Sequence, residues 1–134
     1  MLRLFDQDGR LIAYRFGMAG KGRTARDDTV FRVASISKMI TAMCVLKLAE
    51  QGLISLDEDT GLLPYPVTLR QLMSHTAGIV DGSAYLEGLE KGSKLSDVLA
   101  NSAAESMRGR WAYSNLGAGA VACVLEKKLG ESFE

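Results

Sequence analysis

At 134 residues the chain is long enough for one domain that buries roughly two thirds of its unfolded surface. Sixteen acidic and sixteen basic side chains cancel and lie scattered, which leaves no electrostatic footprint for nucleic acid or an anionic membrane surface. The most apolar stretch is interrupted by Lys38 and Lys47, well short of the roughly 20 apolar residues that a membrane span needs, so a soluble chain is expected.

The opening stretch MLRLFDQDGR carries Arg3 and Asp6 and no apolar signal core, so nothing in it directs export. As it stands a cytoplasmic location is expected, or a periplasmic or secreted one if a signal had been removed. LRLFDQDGRLIAYRFG predicts a β-hairpin, with alternating apolar residues on both sides of Asp8-Gly9, a dipeptide that supplies positive φ. MAGKGRTARDDT is rich in glycine and charge without an apolar period and reads as a loop. It leads into a short extended segment, residues 30–33.

From Ser35 the spacing becomes helical. Met39, Ile40, Met43, Cys44, Leu46 and Ala49 recur largely every three or four residues, and Gly52 supplies a stop. Such a helix, apolar on most of its circumference, is expected to be buried in a larger body. Cys44, and Cys123 in a later apolar pattern, read as free buried thiols rather than a disulfide. Asp57, Glu58 and Asp59 form an exposed acidic turn, and Pro64 and Pro66 bracket an extended linker. Thr68-Leu69-Arg70-Gln71 has the form of a capping box, predicting a short helix through Ser74 with Gly78 closing the unit.

Residues 81–92 are glycine-interrupted and weakly periodic, so a loop with one helical turn at residues 85–89 is expected. Ser96 or Asp97 can start another short helix through Ala104, and residues 107–110 form a linker. WAYSN then precedes a helix bearing Leu116, Val121, Val124, Leu125 and Leu129, closed by Lys127, Lys128 and Gly130. Gly117 and Gly119 each cost about 1 kcal/mol inside a helix, which points to close approach of another backbone.

Two groups of residues can carry chemistry. Ser35 and Lys38 are three apart, so on a helix the lysine amine lies beside the serine hydroxyl. Ser35 sits where a helix begins, among unpaired N–H groups and the positive end of the helix dipole, although a serine there can also simply cap the helix. An ammonium in that first turn opposes the dipole and costs desolvation, so Lys38 needs a compensating partner. A partly neutral Lys38 amine could take the Ser35 proton. Tyr113 and Asn115 stand two apart in an extended piece and project to one side. The plainer reading there is an N-cap at Ser114 or Asn115 behind a packed tyrosine.

FRVASISKMITA, LRQLMSHTAGI and WAYSNLGAGAVACVLEK, in this order, resemble the successive blocks of the serine β-lactamase and penicillin-binding protein-like family. The Tyr-x-Asn form resembles its branch of class C β-lactamases, D,D-carboxypeptidases and esterases, whereas class A relatives carry Ser-Asp-Asn. The resemblance covers nearly the whole chain. It implies an α+β fold, with an N-terminal antiparallel β-hairpin followed by a mainly helical region, in one partial domain: residues 1–34 would be the first strands of the sheet and 35–134 the helical region. It implies a serine hydrolase acting on an amide or ester carbonyl through an acyl-enzyme. Ser35 would be the nucleophile, Lys38 and Tyr113 the general base and acid, and Asn115 would bind the substrate's carbonyl side chain. The Ser35 N–H would supply half of the oxyanion hole, and no metal or organic cofactor is implied. The lone His75 falls in a block that is a structural turn in the family.

The family's third motif, a Lys-Thr-Gly or His-x-Gly strand, has no match in this sequence. The resemblance therefore implies part of a longer hydrolase that lacks its C-terminal strands, inactive or nearly so as 134 residues. A β-lactam, a D-amino-acid peptide and an ester all remain open as substrates. The alternative is a non-catalytic penicillin-binding-like module holding a ligand or partner. An open sheet edge would also admit an oligomer.

Overall fold

The computed structural model describes residues 2–14 and 17–133. The chain divides into two compact units, Met1–Ala34 and Ser35–Glu134. In the first, β1 (Leu2–Phe5) pairs antiparallel with β2 (Leu11–Tyr14), Leu2 opposite Tyr14 and Phe5 opposite Leu11. The hairpin turns as its sequence predicts, although Gly9 alone takes positive φ, at 74°. Gly9 N–H donates to the Asp6 carbonyl at 3.0 Å, and Asp6 Oδ1 accepts from the N–H groups of Asp8 and Arg10. One αL residue suffices because Asp6 N–H donates to the Arg10 carbonyl at 3.0 Å, which leaves a loop of three residues, 7–9, rather than two. The expected hairpin ran on through Arg15 and Phe16, which lie outside the described residues.

The stretch expected as a loop contains a second small hairpin, β3 (Met18–Gly20) with β4 (Arg23–Thr24). Its strands are too short to show alternation, and Gly22, at φ 71°, makes the tight connection. Residues 30–33 belong to no strand.

The second unit is helical. A 3-10 turn (Ala34–Ile36) leads into α1 (Ser37–Glu50), followed by α2 (Leu69–Met73), α3 (Ser83–Lys91), α4 (Leu95–Ser102) and α5 (Asn115–Leu129). The Thr68 capping box forms in full: Thr68 Oγ1 accepts from the Gln71 N–H at 3.2 Å and Gln71 Oε1 from the Thr68 N–H at 3.1 Å. Ser114 is the N-cap of α5, accepting from the Gly117 N–H at 2.8 Å, and Gly130 ends the helix in the left-handed conformation. Leu69, Leu72, Leu99, Leu116 and Val121 are among the residues of one buried cluster joining α2, α4 and α5, to which α1 contributes Val45.

Three sequence expectations are corrected here. Residues 83–91 form a nine-residue helix rather than a loop with one turn. Gly88 inside it reads as a breaker but is demanded by packing, since a Cβ there would lie 2.5 Å from Val98 Cγ2 of α4. The glycines of α5 meet side chains instead of another backbone: a Cβ at Gly119 would first reach Leu95 Cδ2, at 3.4 Å. Finally, α1 is not enclosed. Met39, Ile40, Met43 and Leu46 are all more than half exposed, and Cys44 is a free but exposed thiol.

A strap, residues 75–81, positions the site. It is stitched on one side to the end of α4 and the residues just after it, where Val80 N–H donates to the Ser102 carbonyl and Ala104 N–H to the Gly78 carbonyl. On the other side Gly109 N–H donates to the Thr76 carbonyl and Ala112 N–H to the His75 carbonyl, which carries the chain into the α5 N-terminus. Gly78 is at φ 78°, and a Cβ there would stand 2.6 Å from the Ala104 carbonyl oxygen. Glycine is therefore required where the strap crosses.

Candidate active site

The four residues singled out in the sequence converge at the start of α1 and of α5. Ser35 lies in the 3-10 turn and Lys38, three positions on, in the first turn of α1, where i and i+3 side chains are neighbours. Lys38 Nζ donates to Ser35 Oγ at 3.2 Å and, 77 residues along the chain, to Asn115 Oδ1 at 2.8 Å. Tyr113 OH lies 2.7 Å from Ser35 Oγ, and Lys38 Nζ stands 5.1 Å from the Tyr113 ring centroid.

Ser35 does not cap α1. No side-chain cap bond forms at that helix start, and the Ser35 hydroxyl is committed to Lys38 and Tyr113. Ala34 just before it sits at φ 46°, a conformation that a non-glycine residue adopts at a cost. The partner that Lys38 needs is supplied by the Asn115 carboxamide oxygen together with the tyrosine. The Lys38 ammonium first, and then the Ser35 hydroxyl, hold the Tyr113 phenol below its ordinary range. Ser35, Tyr113 and Asn115 are exposed and Lys38 is half-buried. Beside Lys38 a cleft of about 250 Å³ runs between α1, α2 and α5, lined by Thr41, Leu72, His75 and Gly119 among others.

His75 supports this arrangement from beneath. It has φ 59°, and its ring lies 4.6 Å from that of Tyr113, centroid to centroid. Its Nδ1 accepts from the Ser114 N–H at 3.3 Å. Burial first, and the Lys38 charge second, push its pKa below the ordinary imidazole value, which favours the neutral ring that such an acceptor must be.

One residue escaped the sequence reading. Asp81, in the strap, accepts from Ser114 Oγ at 2.6 Å, Asn115 N at 2.7 Å, Asn115 Nδ2 at 3.0 Å and Leu116 N at 3.1 Å. Burial alone would raise its pKa, but these four donors outweigh it and hold the carboxyl below the usual range. An aspartate in a glycine-rich stretch, 34 residues before the helix whose first turn it holds, leaves no spacing signal.

A family model described as Beta-lactamase matches residues 6–134. The chain belongs to the β-lactamase family. Penicillin-binding protein 4* of Bacillus subtilis (strain 168) is 30% identical over 142 residues, which cover 92% of this chain and 31% of that protein. Esterase EstB of Burkholderia gladioli is 39% identical over 79 residues, 50% of this chain and 20% of that protein. The chain thus spans about a third or less of these family members. Among solved structures, FmtA from Staphylococcus aureus superposes with a TM-score of 0.73 at 20% identity over 93% of this chain and 38% of its own, a likeness of fold alone. A D-stereospecific amidohydrolase from Streptomyces sp. gives a TM-score of 0.60 at 27% identity, over 76% of this chain and 38% of its own. Both support the α+β architecture of hairpin followed by helices as part of the β-lactamase/transpeptidase-like fold.

Proposed function

We propose that the chain carries the nucleophile-bearing part of an acyl-transfer site, of the class C-like type, acting on an amide or ester carbonyl. The observation that carries this reading is the convergence of Lys38 and Tyr113 on a single oxygen, Ser35 Oγ. Ser35 Oγ attacks the carbonyl carbon while its proton passes to the ionised Tyr113 phenolate oxygen or to the Lys38 amine. That proton then goes to the leaving amine or alcohol as its bond to the carbonyl carbon breaks, leaving an ester on Ser35. Water attacks the ester by the same route in reverse, releasing the acid. The depressed Tyr113 pKa brings its base form closer to neutral pH. Asn115 anchors Lys38 through Oδ1 and borders the site as a substrate-binding group. The Ser35 N–H is one oxyanion donor.

Residues 1–34 in this reading are the first strands of the sheet and 35–134 the helical region of one partial domain. The esterase and amidohydrolase names of two relatives support the substrate class. With Ser35, Tyr113 and Asn115 open to water, charge developing on the carbonyl oxygen is poorly stabilised, so the 134-residue chain is expected to be acylated slowly and to turn over little. Incubation with p-nitrophenyl acetate and with a fluorescent penicillin, beside Ser35→Ala, checks both statements by intact mass and by nitrophenol release. Acylation lost in Ser35→Ala supports the nucleophile, and acylation retained in it sinks the assignment. Rapid turnover by the short chain overturns the expectation of low activity.

A further inference from the structure

Four donors converge on the Asp81 carboxylate, and the scheme above gives it no part. One of the four is unlike the others. The Ser114 hydroxyl and the Asn115 and Leu116 N–H groups belong to the start of α5 and would be satisfied by any good cap, whereas Asn115 Nδ2 belongs to a side chain that also reaches Lys38. A carboxamide has one accepting and one donating end. A carboxylate only accepts and an ammonium only donates, so Asn115 bridges Asp81 and Lys38 with Nδ2 toward the first and Oδ1 toward the second. Turned end for end, it would set oxygen against carboxylate and NH₂ against ammonium, losing both bonds. Around this bridge the other titratable groups are Tyr113, beside Lys38, and His75, held to the Ser114 N–H.

Building on the acyl-transfer reading, we propose that Asp81 is a positioning residue that fixes the Asn115 carboxamide end for end and so holds Lys38 against Ser35. Its effect passes along a chain of contacts from Asp81 through Asn115 and Lys38 to Ser35 Oγ. Without the carboxylate the amide is free to turn, and the ammonium loses the acceptor that opposes its pull toward water.

The sequence contains two asparagines, Asn101 and Asn115, so the full chain labelled with [15N]asparagine shows two side-chain amide pairs. Asn101 Nδ2 donates to the Asp97 carbonyl at 3.0 Å and serves as the internal reference. In Asp81→Ala the Asn115 pair is expected to move toward the position of a free carboxamide while the Asn101 pair stays. A folded variant whose Asn115 pair keeps its wild-type position overturns the proposal. Should Asp81→Ala fail to fold for want of a cap, Asp81→Ser retains a short oxygen for the helix N–H groups but no charge, and decides the same question.

The consequence for chemistry is read from the burst of nitrophenol release. Asp81→Ser is expected to lower the limiting rate of Ser35 acylation about tenfold to a hundredfold, with the half-saturating ester concentration unchanged. A limiting rate equal to wild type overturns the link to Lys38, and so does a loss confined to half-saturation. If wild type shows no Ser35-dependent acylation, the hydrolase reading falls, while the amide spectrum still decides whether Asp81 orients Asn115.

Discussion

Tyr113 is where residue chemistry and sequence met most directly, because a phenol two positions before Asn115 was legible while its depressed pKa was not. That depression arises from Lys38 and Ser35, 75 and 78 positions earlier in the chain, and only the fold brings them together. Tyr113→Phe is expected to lower Ser35 acylation by about 10²- to 10⁴-fold and to remove the rise in rate that accompanies phenol ionisation on the alkaline side. A pH–rate profile of p-nitrophenol release checks it, and a wild-type rise that survives in the phenylalanine variant assigns the base to Lys38 alone. His75 makes a different kind of contribution. Its folded pKa lies below the unfolded value near 6.5 because burial, and then Lys38, disfavour the charged ring. The stability it supplies is thus full above pH 6.5 and is lost as pH falls through the lower folded value. His75→Asn tolerates the left-handed backbone but loses the ring, and should cost about 1–2 kcal/mol at neutral pH. Wild-type melting temperature should fall toward that of the variant on acidification below pH 6.5; parallel profiles would remove His75 from the account.

Elements with strong local signals were legible, and those built by tertiary contact were not. The capping box at Thr68, the Ser114 cap and the Gly130 stop each declare a helix end within four residues of sequence, and each forms as expected. Helix α3 carries no such signal, since Gly88 lowers its propensity and its reason lies in Val98, ten positions on and in another helix. Propensity and packing oppose each other at this position. Alanine would favour an isolated helix by about 1 kcal/mol, but its Cβ would meet Val98 Cγ2 at 2.5 Å, and valine is stiff about χ1. Packing is expected to win, so Gly88→Ala should destabilise the chain by about 1–3 kcal/mol. A double-mutant cycle with Val98→Ala measures the conflict directly. The pair should be coupled, with the alanine at 88 less harmful, or favourable, once the valine methyls are gone. Additive effects would show that α3 and α4 separate without strain.

At the scale of the whole molecule, the sequence anticipated a helix that needs cover on most sides, and the structure gives α1 cover on one. Val45 is fully buried as a member of the core cluster, whereas Met39, Ile40, Met43 and Leu46 expose 51–59% of their surface at helical spacing along one face. A contiguous apolar face of this kind is uncommon on a monomeric soluble protein. The composition could not reveal it, because the balance of 16 acidic and 16 basic side chains describes the chain and not the distribution of its surface. The face also sits on the helix that begins beside Ser35, so its solvation bears on how firmly Lys38 is held. Two consequences follow for the isolated chain. It should bind the dye 1-anilinonaphthalene-8-sulfonate while retaining native far-UV circular dichroism, and Ile40→Lys with Met43→Lys should abolish most of that fluorescence. Because those two side chains are already more than half exposed, the double substitution should cost little stability, within about 1 kcal/mol by chemical denaturation. A larger loss, or a wild-type chain that binds no dye, would show that the helix is covered in solution in a way this arrangement does not contain, and dye binding that persists in the double variant would place the dye elsewhere.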